Sequence, residues 1–289
     1  MKLKKTTISA IILLVGLVVI ISLSGLSFIM PNIAQNYTDS TQTNTDSTSE
    51  SAPKQCKSAN NMEDFFLTTK DNIKIATNLY PVENPIGWVV LTHMMPATKE
   101  SWLGLAGKLQ SLGYESLAID LRGHGESDGG HNGFMNFSDE EHQKSILDLE
   151  TVVEYFKIRG AIPEKIIFIG ASIGANLSLQ YISEHPEFKT AILLSPGLNY
   201  KGIKTEPMVE KLKEGQRVLF VSSRDDGPNA EQNQKLFDLT PTGVEKDLII
   251  YKNSGHGTSM LAPYRNEISG AGFGKEEPDL ESAIIKFLK

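Results

Sequence analysis

Ser172 lies in the stretch FIGASIGANL, residues 168–177, with Gly170 and Gly174 two positions to either side and a β-branched, aromatic run before it. A serine hydroxyl is a weak nucleophile near neutral pH and becomes an effective one when an imidazole accepts its proton and a carboxylate holds that imidazole. Small flanking residues are what a sharp strand-to-helix turn needs to push the hydroxyl outward. The G-x-S-x-G pattern is a weak signal by itself, so the base and the acid must be found elsewhere in the chain.

The chain has six histidines. His256 lies in NSGHGT, a glycine-flanked stretch directly after the apolar run DLIIYK, and is the expected base. His142 falls inside a helical pattern, His185 precedes Pro186, and His131 sits among glycines; each reads as a surface or structural residue. His93 and His124 end apolar runs but belong to turn sequences, and His124 stands as a second candidate for the base. For the acid, TAILLSP is followed by GLNYK, which has no carboxylate, whereas RVLFVSS is followed by Arg224, Asp225 and Asp226. Asp226 is the preferred orienting acid and Asp225 the alternative. Ser172, Asp226 and His256 each follow a different apolar run, in the order expected of a serine nucleophile with its acid and base. The chemistry expected is acyl transfer to water through an acyl-enzyme on Ser172.

Those side chains need a scaffold whose strand ends share one edge. After residue 62, a hairpin is predicted around Asp71-Asn72, followed by short apolar runs at 87–93, 114–121, 165–172, 190–196, 217–223 and 246–253. Their near-continuous apolar character predicts strands covered on both faces, hence a mostly parallel sheet. Helical spacing fills the gaps. Trp102, Leu105, Ala106, Leu109 and Leu112 stop at Gly113; SDEE (138–141) forms a capping box ahead of Ile146, Leu149, Val152, Val153 and Phe156. Further helices are expected over 173–183, near 230–239 and from about 279 to the end. Alternating strand and helix predicts an α/β fold with a doubly wound sheet, which binds ligands beyond the carboxyl ends of its strands.

At this point residues 62–289 resemble the α/β-hydrolase superfamily, through VVLTHMMPAT, DLRGHGESDG (120–129), GASIGA and NSGHGT. The resemblance implies an α/β-hydrolase fold and a serine hydrolase with Ser172 as nucleophile, Asp226 as acid and His256 as base. It also implies an oxyanion hole from the backbone N–H of Ile173 and of Met95, with Met94 the alternative donor. Met94 stands where the family commonly has glycine. Residues 197–216 leave space for one short helix, EPMVEKLKE, and no separate cap domain, so an open site is expected. Small members of the dienelactone-hydrolase-like, esterase and serine-aminopeptidase kinds are similar in this respect. Dienelactone hydrolases carry a cysteine nucleophile, so their lactone specificity does not carry over to Ser172. Met94, Met95, Trp102, Met208 and Met260 are candidates to line an apolar acyl pocket.

The remainder of the chain reads differently. Three lysines lie within the first five residues, and residues 8–30 are almost wholly apolar, long enough to span a bilayer. Residues 1–34 are expected to be a retained membrane anchor, or alternatively a cleaved signal peptide, with the domain after it outside the cytoplasm or secreted. Residues 35–61, rich in Ser, Thr, Asn and Gln, read as a disordered linker. Cys56, the single cysteine, lies in it, so no intramolecular disulfide is available. The net charge of −7 becomes more negative once the N-terminal lysines are set aside, no footprint for nucleic acid. No metal-ligand spacing, G-x-G-x-x-G turn or P-loop occurs, so neither a metal nor a cofactor is expected. The expected substrate is a small or lipid-like ester, thioester or amide, as for a carboxylesterase, lysophospholipase or peptidase. The competing readings are a catalytically silent membrane-tethered binding protein, and an acyltransferase or perhydrolase using the same three residues.

Overall fold

The computed structural model describes residues 61–261 and 279–289. The expected anchor, nearly all of the linker and Cys56 lie outside these residues. Among the described residues no helix is long and apolar enough to cross a membrane.

The chain opens with an antiparallel hairpin, β1 (Glu63–Thr68) and β2 (Lys74–Tyr80), turning through Asn72 at φ 64°. Then come β3 (Gly87–Thr92), α1 (Leu103–Ser111), β4 (Tyr114–Ile119), α2 (Asp139–Gln143) and α3 (Ile146–Ile158). The second half holds β5 (Ile166–Ala171), α4 (Ile173–Glu184), β6 (Thr190–Leu194), the two-residue strands β7 (Asn199–Tyr200) and β8 (Ile203–Lys204), and α5 (Glu206–Val209). It closes with β9 (Arg217–Ser223), α6 (Asn229–Leu239), β10 (Glu245–Tyr251) and α7 (Leu280–Leu288).

The described residues form an eight-stranded sheet in the order β1-β2-β4-β3-β5-β6-β9-β10, parallel from β4 to β10. This is the mostly parallel α/β sheet expected from the apolar runs, in the α/β-hydrolase fold that the resemblance implied. Strand alternation divides the core into two layers. Val90, Phe168, Leu193 and Phe220 face α3, α4 and α6, while Leu91, Ile169, Leu194 and Val221 face α1 and α7. Strands buried on both faces have no polar face to show, which is why each reads as an unbroken apolar run.

The connection after β3 runs to β4 on one side, and β5 lies on the other. The carboxyl ends of β3 and β5 therefore flank the point where the strand order reverses, the crevice in which such sheets hold ligands.

Two expectations need amendment. The segment capped by Ser138 is two helices, α2 and α3, with the capping box in place: Ser138 N–H donates to Glu141 Oε2 at 2.7 Å and Glu141 N–H to Ser138 Oγ at 3.3 Å. In the segment 197–216, the expected single helix is only the four residues of α5, and the β7–β8 hairpin precedes it. Two-residue strands are too short to show any period, so the hairpin has no sequence signature.

The DLRGHGES stretch ties the sheet's carboxyl edge together. Buried Asp120 accepts from the Lys99 N–H at 2.8 Å, Lys99 Nζ at 3.1 Å and the Glu126 N–H at 3.0 Å. Arg122 bridges Asp148, on α3, and Asp71, in the first hairpin turn. Ser127 Oγ donates to the Asp120 carbonyl and accepts from Ala76 on β2.

Candidate active site

Ser172 sits between β5 and α4 with φ 53° and ψ −119°, a conformation non-glycine residues rarely adopt. Its backbone is held on both sides: the N–H donates to Leu194 O at 2.8 Å, and the carbonyl accepts from Ala175 and Asn176. The flanking glycines are needed for space. A Cβ on Gly170 would lie 2.2 Å from the Gly174 carbonyl oxygen, and one on Gly174 would lie 2.3 Å from the Thr92 carbonyl oxygen. The turn after β5 is thus pressed against the end of β3, and no side chain fits between them.

His256 follows β10, and its Nδ1 lies 2.6 Å from Asp226 Oδ2. Asp225 points elsewhere. It accepts from the Ser254 N–H at 3.1 Å, the Gly255 N–H at 3.2 Å and the Ser223 hydroxyl, so it fastens the backbone that carries His256. Burial would raise the Asp225 carboxyl, but the Ser223 hydroxyl and the Ser254 and Gly255 N–H groups outweigh it and hold the carboxyl below its usual range. The far side of the same loop is pinned by the Gly257 N–H donating to Ser195 Oγ at 3.0 Å.

The loop after β3 carries Met94 and Met95. Among the described residues, the N–H groups of Ile173, Met94 and Met95 meet no hydrogen-bond acceptor. Ile173 N–H belongs to the first turn of α4, where helix geometry supplies no internal acceptor. The β3 loop is set by His93, fully buried. Its Nε2 accepts from the Leu121 N–H at 3.0 Å, so Nδ1 carries the proton and donates to the Met94 carbonyl at 2.9 Å. Burial pushes the His93 pKa down to about 4, against the pull of the Met94 carbonyl. The ring is a neutral strut below the loop.

His124, the second candidate for the base, is 2% exposed and stacks on Phe134 with centroids 4.2 Å apart. Its Nδ1 pairs with the Arg122 carbonyl, and Nε2 has no partner among the described residues. Burial and the neighbouring His93 press its pKa down to about 3. A ring sealed in this way has no route to a substrate, so His124 is not the base.

The pocket-lining expectation is corrected for two residues. Trp102 is 0% exposed and Met260 1%, both enclosed in the layer between the sheet, α1 and α7. A side chain without accessible surface lines no open site. Met94, Met95 and Met208 are half-buried. The Met94 side chain packs beside Gly257, where an added Cβ would meet its Sδ at 2.6 Å.

Tyr200, which carries no signature in the sequence, also stands at this edge. Its ring stands edge-on to His256 with centroids 6.4 Å apart, and its hydroxyl donates to the Ser195 carbonyl at 3.5 Å. Burial and the Asp226 charge raise the phenol pKa, with Ser172 and Asn229 pulling it back. No acid, base or spacing in GLNYK marked this tyrosine. Among the described residues no group of His, Cys, Asp and Glu is arranged to hold a metal.

The fold has relatives. The family described as serine aminopeptidase, S33, matches residues 83–240, more than half of the chain. An esterase from Pyrococcus furiosus shares the fold at a TM-score of 0.61 and 21% identity, covering 79% of this chain and 91% of that one. An α/β hydrolase from a Penicillium species aligns at 0.61 and 17%, covering 79% and 98%. A dienelactone hydrolase from Anabaena variabilis aligns at 0.57 and 16%, covering 72% and 93%. This chain belongs to the serine aminopeptidase S33 family and is a hydrolase of the α/β-hydrolase fold.

Proposed function

We propose that the protein cleaves an ester, thioester or amide through an acyl-enzyme on Ser172, with His256 as general base and Asp226 as its orienting acid. The observation that carries this reading is the 2.6 Å contact of His256 Nδ1 with Asp226 Oδ2. It commits Nδ1 to the carboxylate and leaves Nε2 as the nitrogen to receive a proton. His256 takes the Ser172 proton, and the serine oxygen attacks the acyl carbon. The negative oxygen so formed rests on the N–H groups of Ile173 and Met95, which have no other acceptor among the described residues. Each such donor is worth about 3 kcal/mol in the transition state. The first turn of α4, aimed at the same point, adds favourable partial charge. His256 then protonates the leaving group, and water releases the acyl group by the reverse sequence.

The test is Ser172→Ala against a series of p-nitrophenyl esters of increasing acyl length and aminoacyl p-nitroanilides. Turnover is expected to fall by about a million-fold, to background, while circular dichroism and melting temperature stay those of the parent. A fluorophosphonate probe should label the parent and not the variant. Undiminished hydrolysis by Ser172→Ala would refute the assignment. The series also reads acyl length and ester against amide preference directly.

A further inference from the structure

Tyr200 lies on the β7–β8 hairpin with its ring edge-on to His256, and that place is built in from three directions. Asn176, four residues after Ser172 on α4, donates from Nδ2 to the carbonyls of Gly197 and Ile203 at 3.0 and 2.9 Å. Its Oδ1 accepts from the Gly197 N–H at 3.1 Å. Gly197 in turn lies flat against the phenol: a Cβ there would come within 2.4 Å of the Tyr200 ring. From α6, Asn229 Nδ2 donates to the Tyr200 hydroxyl at 3.4 Å, and Asn229 is itself held by Asn233.

The phenol has one proton to give. Asn229 Nδ2 is a donor only, so that proton goes to the carbonyl of Ser195, the residue after Leu194, whose own carbonyl takes the Ser172 N–H. The bond to Ser195 O spans 3.5 Å, at the outer limit for a hydrogen bond, and is easily given up. Charge decides the competition. As Ser172 loses its proton to His256 its oxygen becomes strongly negative, and hydrogen bonds to a charged oxygen are about twice as strong as neutral ones.

We propose that Tyr200 is a further catalytic residue, whose hydroxyl turns from the Ser195 carbonyl to the Ser172 oxygen as that oxygen is deprotonated, stabilising it in attack and again when it departs from the acyl-enzyme. The inference rests on the reading of Ser172 as nucleophile. Tyr200 transfers no proton. The Ser172 proton passes to His256, a lone pair of the serine oxygen forms the bond to the acyl carbon, and the carbonyl π pair moves onto the carbonyl oxygen. An interaction stronger in the transition state than at rest raises kcat and leaves ground-state binding alone. Burial and the Asp226 charge keep the phenol protonated, hence a donor, through neutral and mildly alkaline pH.

The experiment compares Tyr200→Phe, Ser172→Ala and the parent in p-nitrophenyl butyrate hydrolysis and in the rate of fluorophosphonate labelling. Tyr200→Phe is expected to lower kcat and the labelling rate together by about 10- to 100-fold, with KM within about twofold and the melting temperature unchanged. Ser172→Ala should be inactive in both assays. Parent-like rates in Tyr200→Phe beside an inactive Ser172→Ala overturn the role of Tyr200 and leave the nucleophile standing. An active Ser172→Ala overturns both. A Tyr200→Phe variant whose loss lies in KM and in melting temperature makes the tyrosine a structural residue and overturns the proposal.

Discussion

Asp225 and Asp226 are adjacent in sequence and differ in what they hold. Asp226 meets the imidazole of His256, whereas Asp225 gathers N–H groups from the backbone on which that imidazole stands. Their substitutions should therefore separate. Asp226→Asn keeps the shape of the side chain but withdraws the charge that favours the imidazolium. It is expected to lower kcat by about 10⁴-fold with little change in stability. Asp225→Ala leaves the Gly255 N–H without its acceptor, and the Ser254 N–H and Ser223 hydroxyl with one each, Ser223 Oγ and the Tyr251 carbonyl. It is expected to lower melting temperature and to reduce kcat by roughly tenfold, through a His256 loop that no longer holds its position. Ester kinetics and thermal unfolding on the two variants check the split, and equal losses of activity would show that the aspartates are not specialised. From sequence, both aspartates satisfied the same requirement of following β9. Only the path of the turn between Ser223 and Asn229 decides which carboxylate meets the His256 ring and which the backbone before it, and nothing in residue type encodes that choice.

At the scale of elements, the turn between β5 and α4 has the least tolerance. A methyl group on Gly174 would need the Thr92 carbonyl to retreat, and that carbonyl is backbone at the end of β3, beside the loop that carries Met94 and Met95. Gly174→Ala is expected to cost about 3 kcal/mol and to abolish activity together with stability, measured by urea unfolding and ester turnover. A stable, active variant would mean that β3 and α4 are less closely pressed than the structure has them. The same turn was legible in sequence, because small residues on both sides of a serine that ends an apolar run meet the steric demand of a sharp strand-to-helix turn. The β7–β8 hairpin was not. Its register is imposed by Asn176 and Thr205 gripping Gly197, contacts across 21 and 8 residues that no local pattern announces. DLRGHGES lies between these cases. Its composition marked the family, while its structural work, tying Lys99, Asp148, Asp71 and β2 to one edge, emerges only from the hydrogen bonds.

Across the whole molecule, three histidines among the described residues are buried with lowered pKa values: His142, and the pair His93 and His124 under the sheet's carboxyl edge, whose ring centroids lie 4.9 Å apart. Burial lowers the pKa values of the pair to about 4 and about 3. The unfolded chain binds these protons near pH 6.5, and the folded chain refuses them until the lower values are reached. Between about pH 6.5 and 4, then, the unfolded state holds more protons, and stability falls as pH falls. The slope is about 1.4 kcal/mol per pH unit for each histidine. The melting temperature is expected to be flat above pH 7 and to decline steadily towards pH 4. His124→Phe should fill the space on Phe134 without titrating, and so should show a shallower slope, the remainder set by His93, by buried His142, whose pKa burial also lowers, and by Asp148, which burial raises to about 6 and which opposes the fall. An unchanged slope in the variant would place the acid sensitivity elsewhere.

Sequence by itself determined the class of the fold, the strand that ends in Ser172, the histidine after the last strand and the pair of acids between them. These follow from burial on both strand faces, small residues at one turn and the order of apolar runs, all of which are local. Tertiary structure alone decided which aspartate meets His256, that His124, Trp102 and Met260 are sealed away, and that Tyr200 stands beside His256. Those outcomes depend on how distant segments pack, and packing is a property of many residues at once that no single stretch of chain records.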